Sequence, residues 1–273
     1  MQRAYWAIVA VAVLASSPVP RAQSLVFQTT FNCVPWQQTN GTDPCLTNDG
    51  IGRHGDWTMN GKGDEITAAA NYQSGGGGSG FRHWRGNGTN SLGGGVSISL
   101  PQAVNEVWVR MYMRFQAGFG WSGGAPLYTK DHYWGACGSG CIIFGIQGSN
   151  SWGINYNGSD NHSSSLSWAA SQGGSVGDGQ WHAYEYHVRK TGATSAVEFW
   201  FDGVRYLSKV ANLGTATMAS FSLGENQSSV TGCPSGCYTD YDDLAISTTG
   251  YIGLVGGPAT RVPAAPTGLR LIH

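Results

Sequence analysis

The stretch Glu106-Val107-Trp108-Val109-Arg110-Met111-Tyr112-Met113-Arg114-Phe115 decides the fold. Valine, methionine and phenylalanine fill its odd-numbered positions, and Glu106, Trp108, Arg110, Tyr112 and Arg114 fill the others. Successive side chains of a strand point to opposite faces, so a two-residue period sorts this segment into an apolar face and a polar one. The apolar face belongs in a core. The polar wall of Trp108, Arg110, Tyr112 and Arg114 is expected to look onto solvent or a groove.

Two further runs repeat the pattern. Tyr184, Tyr186 and Val188 oppose Glu185, His187 and Arg189; Val197, Phe199 and Phe201 oppose Glu198, Trp200 and Asp202. Asp202-Gly203 then leads into Val204-Arg205-Tyr206-Leu207, a hairpin signature. Asn40-Gly41, Asn60-Gly61, Asn87-Gly88 and Asn157-Gly158 mark other turns. No dozen residues carry a 3.6-residue apolar stripe. The chain therefore reads as all-β, a jelly-roll β-sandwich.

Composition narrows the class. The 273 residues are enough for one sandwich domain. Charged residues make up only 11%, which excludes a coiled coil. Aromatics at 12% argue against a disordered chain. A formal net charge of -1 offers no basic excess for phosphates, so no nucleic-acid partner is expected.

Residues 1–23 read as a secretory signal: Arg3, an apolar run from Ala4 to Ala15, then Ser16, Ser17, Pro18 and Ala22. That run is shorter than a bilayer span, so no membrane association is expected after cleavage. The protein should be secreted or periplasmic. Six cysteines then read as disulfides, and the spacing favours local pairs Cys33–Cys45, Cys137–Cys141 and Cys233–Cys237. A four-cysteine zinc site is the rival reading, disfavoured by an oxidising compartment. Residues 24–256 form the expected domain, and 257–273 a Pro/Ala-rich, linker-like tail.

Trp181-His182, Glu198-Phe199-Trp200-Phe201-Asp202-Gly203 and Asp240-Tyr241-Asp242-Asp243-Leu244-Ala245-Ile246-Ser247 with Gly250-Tyr251-Ile252-Gly253 resemble segments of the concanavalin A-like lectin/glucanase superfamily, which includes laminin-G-like and polysaccharide-lyase-like jelly rolls. Phe27-Gln28-Thr29-Thr30-Phe31 is similar to its opening strand. The resemblance implies two curved antiparallel sheets, with a sugar across the concave one. Trp and Tyr supply flat apolar surfaces with polar tips, which suits sugar rings. A monomer that engages a polysaccharide or oligosaccharide is expected.

Three chemistries compete. The glucanase signature Glu-x-Asp-x-x-Glu is absent, and a glycosidase would have to use Glu185 and Glu198 on neighbouring strands. A lyase removes the proton beside a uronate carboxylate, which calls for a carboxylate neutraliser, a base and an acid. Candidates are Arg110 as neutraliser, His132 as base and Tyr112 or Tyr133 as acid, with Lys130 and Gln147 nearby. The lyase strand signatures Arg-x-Glu-Leu-Arg and Gln-Ile-His are not present. A binding module needs only the aromatic face. The lyase reading is favoured. Trp108, Arg114, Arg82, His83, Trp84, Glu185 and His187 are the expected substrate-binding residues. Asp240 and Asp242 form a possible structural calcium site, since hard oxygens suit Ca²⁺.

Overall fold

A computed structural model describes residues 25–32, 64–72, 78–86, 95–121, 128–135, 141–147, 151–156, 164–169, 177–224, 230–231 and 236–255, and the short strands at 36–37 and 51–53. The expected signal segment and tail lie outside the described residues, as do Cys33, Cys45, Cys137 and Cys233. In chain order the strands are β1 (Leu25–Thr29), β2 (Trp36–Gln37), β3 (Ile51–Arg53), β4 (Glu65–Thr67), β5 (Gly80–Gly86), β6 (Val96–Val104), β7 (Glu106–Phe115), β8 (Gly120–Trp121) and β9 (Tyr128–Trp134). They continue with β10 (Ile142–Gln147), β11 (Ser151–Tyr156), β12 (Ser164–Ala169), β13 (His182–Arg189), β14 (Ser195–Phe201), β15 (Val204–Ala211), β16 (Met218–Leu223), β17 (Val230–Thr231) and β18 (Cys237–Ser247). Among the described residues there is no α-helix.

Two antiparallel sheets carry the fold. The nine-stranded sheet runs β15-β14-β13-β7-β18-β5-β4-β2, with β1 paired to the far half of β18. The seven-stranded sheet runs β12-β11-β10-β9-β16-β6-β3. The two-residue sorting of β7 holds. Val107, Val109, Met111, Met113 and Phe115 enter the core beside Tyr184, Tyr186, Val188, Val197 and Phe199. The facing sheet contributes Val96, Ile98, Trp134, Ile142, Phe144, Phe221 and Leu223. Large apolar side chains fill the space between the sheets, which is what holds two such layers together.

Local chemistry explains the connections. β14 and β15 meet at Asp202-Gly203, where both φ angles are positive, at 48° and 79°. That is the twist a two-residue hairpin prefers, and Asp and Gly tolerate it. The Asp202 carboxylate also accepts the Ala183 N–H at 2.9 Å, tying the turn to β13.

Candidate functional site

The polar face of the nine-stranded sheet is built by register. β7 pairs with β13 so that Arg110 meets Glu185, Trp108 meets His187 and Tyr112 meets Ala183. β14 extends the rows, with Trp200 opposite Glu185 and Glu198 opposite His187. Arg110, Glu185 and Trp200 thus form one line across three strands.

This line is covered by the chain itself. After β18, residues 251–255 turn back across the outside of the sheet. The Ile252 and Gly253 N–H groups donate to the two Glu185 oxygens at 2.6 and 2.9 Å. Arg110 donates to the carbonyls of Gly253 and Asp243 at 3.2 and 3.0 Å. Val255 N–H donates to the Tyr112 hydroxyl at 3.0 Å, and the Tyr251 ring lies 5.0 Å from that of Trp200. Tyr72 stacks on the other side of Tyr112 with ring centres 3.8 Å apart. As a result Arg110 is 6% exposed, Tyr112 4% and Glu185 3%. The expected open wall is a covered one. Arg110, Tyr112 and Glu185 are spent on main-chain groups of the strap rather than on a groove. Burial pushes the Glu185 carboxyl up to about 7, against the pull of the two N–H groups and Arg110.

Either end of this face is braced. At one end the Trp108 and His187 rings stack 4.1 Å apart with a 2° tilt. The His187 nitrogens lie 2.8 Å from Glu198 and 2.9 Å from Glu106, and Glu198 also accepts from Arg205 at 2.7 Å. The hydrogen bond with His187, reinforced by Arg205, holds Glu198 below the usual carboxylate range. At the other end the fully buried Asp240 carboxylate takes Arg82 through two bonds, at 2.7 and 3.0 Å, and also takes Arg114. Arg82 lies over the Tyr238 ring and Arg114 over Trp181. Trp84 donates to Glu65 at 3.3 Å and meets Tyr238 edge-on. Asp242 accepts the N–H groups of Tyr72 and Asp243, at 2.8 and 2.7 Å.

Several expectations therefore change. The Asp240 oxygens take two guanidinium groups, and those of Asp242 take two N–H groups. Among the described residues no three His, Cys, Asp or Glu side chains gather as a metal site. His83 does not join Arg82 and Trp84: β5 alternates, so His83 turns inward with Phe81. There its Nδ1 lies 2.7 Å from Asp64. His132 is not placed as a base. It is fully buried between the sheets, its ring 4.7 Å from Phe144 and 4.8 Å from Tyr186.

The remaining candidates stand on β9 and β10 of the seven-stranded sheet. Tyr133, next to the inward His132, packs there with Cys141 and Ile143, apart from the main core. Cys141 and Cys237 are each half of a disulfide. In the ladder, Tyr133 pairs with Ile143, Lys130 with Gly145 and Tyr128 with Gln147. Gly145 also pairs with Gly153, and Gly153 with Ser167. On the other flank Tyr133 pairs with Ser222, whose hydroxyl lies 2.8 Å from that of Ser97. The middle of this sheet is thus made of Gly and Ser positions around Tyr133. Glycine inside a strand leaves bare backbone that a ligand can approach closely. The strap, the Asp64–His83 pair and the serine pair had no separate signal in the sequence.

The two stacked antiparallel sheets form a jelly-roll β-sandwich. Among solved structures the fold is similar to that of alginate lyase Aly36B, with a TM-score of 0.56 and 11% identity over 82% of this chain and 96% of that one. A variant of Aly36B in complex with alginate trisaccharide gives a TM-score of 0.53 and 12% identity, over 84% and 100%. The binding domain of botulinum neurotoxin serotype D/C overlaps more loosely, with a TM-score of 0.48 and 15% identity over 74% and 44%. No family model matches the sequence, and no curated protein matches it.

Proposed function

We propose that the chain is an exported, monomeric enzyme that depolymerises a uronate polysaccharide by β-elimination on the outward face of the seven-stranded sheet. The carrying observation is the pairing of Lys130 with Gly145 and of Gly145 with Gly153, beside Tyr133. Base, acid and amide positions follow one another along β9 and β10. Lys130 takes the proton from the carbon next to the uronate carboxylate. The electron pair left behind forms the new carbon–carbon double bond. Tyr133 protonates the departing glycosidic oxygen, and Gln147 donates to the carboxylate as its charge delocalises. The jelly-roll likeness to an alginate lyase supports this choice. A hydrolase on the nine-stranded sheet is less well supported, because Glu185 and Glu198 already hold the strap, His187 and Arg205. A panel of uronate and neutral glycans tests the reading. New ultraviolet absorbance from unsaturated ends, lost in Lys130→Ala, is expected. Reducing ends without that absorbance, or retention without any product, would overturn it.

A further inference from the structure

β15 ends the nine-stranded sheet, and among the described residues no strand pairs with its other edge. Alternate residues of such an edge point their N–H and C=O groups at solvent, ready to take another strand. Exposed large apolar side chains gather beside it. Val204 and Tyr206 stand at its start, and Val210, near its end, is 71% exposed. Leu254 and Val255, exposed as well, continue the patch at the β14–β15 turn: the Leu254 Cδ1 stands 3.4 Å from where a Cβ on Gly203 would be. Among the described residues only Leu25 is an exposed large apolar side chain elsewhere.

The two halves of β15 differ. Residues 207–211 pair with β14 in step, from Leu207 with Phe199 to Ala211 with Ser195. Tyr206 is the extra residue of a bulge, since Trp200 pairs with Arg205. The straight part of the open edge is therefore 207–211. The described chain ends beside this edge, at Val255. Residues 256–268 follow, with Pro258, Pro263 and Pro266, which cannot donate to a ladder. Then comes Leu269-Arg270-Leu271-Ile272-His273, free of Pro and Gly and as long as the straight edge. The linking residues 256–268 reach up to about 43 Å when extended, and β15 runs for only about 26 Å.

We propose that the open edge of β15 is a docking site for the chain's own tail, with residues 269–273 adding to residues 207–211 as a further strand. Main-chain groups of the two segments pair, and the tail's side chains cover Val210. Successive residues of a strand face opposite ways, so Leu269 and Leu271 bring apolar surface to one face of the new strand and Ile272 to the other. A second copy of β15 fits this edge less well. It would set Arg205 and Lys209 against the same two charges, whereas the tail brings Arg270 alone. The docking does not depend on the lyase reading.

The experiment is amide hydrogen exchange on the full chain, read by mass spectrometry over residues 204–211, in the wild type and in Leu271→Pro. The proline removes a ladder donor from the tail. The expected result is exchange in β15 about tenfold or more slower in the wild type than in Leu271→Pro, with β7 and β13 exchanging alike in both. Leu271→Val, which keeps a strand-forming residue, should retain the protection. Equal exchange of residues 204–211 in the wild type and Leu271→Pro overturns the inference. Protection of β15 that disappears on dilution of the wild type gives the edge to a second copy and overturns it as well.

Discussion

Arg110 and Glu185 stand opposite each other in the ladder and grip the same residue, Gly253, one at its carbonyl and the other at its amide. Each side chain alone would be a charge buried without water. Together, through one glycine, they satisfy each other's surroundings without touching. Gly253 has a positive φ of 80°, which a residue with a Cβ adopts only at a cost.

Stability should fall as pH rises through the Glu185 titration. Its folded pKa of about 7 lies above the ordinary carboxylate value. The stabilisation is full below that ordinary value and lost as the buried carboxyl ionises towards about 7 and beyond. Glu185→Gln should flatten this slope in urea unfolding between about pH 5 and 8. A variant whose midpoint tracks the wild type across that range would show that the strap is not read through this carboxyl.

His182 adds a second, separable slope. Its two nitrogens lie 2.7 Å from Asp202 and 2.9 Å from Asp178. Burial pulls the imidazole down, but the bonds to Asp202 and Asp178 outweigh it and hold the pKa above its ordinary value. The clasp is therefore complete at low pH and is lost as pH rises past that raised value. His182→Gln should abolish this part while leaving the Glu185 part. An unchanged titration of stability in that variant would dismiss the clasp.

Asp240 bonds two guanidinium groups directly, those of Arg82 and Arg114. Asp240→Asn leaves two partly buried arginines facing a neutral, buried amide. The loss should be about 3–5 kcal/mol in chemical denaturation. A loss below about 1 kcal/mol would mean that the arginines find water instead.

Substitutions on the two sheet faces should part company. Trp108→Leu removes the flat stack on His187 and should cost about 1 kcal/mol without altering polyuronate turnover. Tyr133→Phe should leave the unfolding midpoint nearly unchanged and cut turnover about a hundredfold. The reverse outcome would move the sugar to the nine-stranded sheet.

The sorting of β7, the β14–β15 turn and the two-layer plan were legible because they follow from period-two patterning and from the φ demands of Asp-Gly. The fate of the polar wall was not. The strap binds through main-chain N–H and carbonyl groups, which every residue carries, so nothing in Tyr251-Ile252-Gly253 announces what lies beneath it. His132 was misplaced for a different reason: a basic residue beside Lys130 and Tyr133 looks chemical, and only the ladder shows that it faces Phe144. For His83 the signal existed. Alternation from Phe81 puts it inside, opposite Arg82 and Trp84.

β18 is eleven residues long, lies in the middle of its sheet and bonds β1, β5 and β7. Most of its partners were made more than a hundred residues earlier. A nascent polypeptide lacking this strand has two half-sheets with raw edges and no seam, so closure waits for it. Such long-separation contacts slow folding, so the strand made last is the one that sets the pace of assembly.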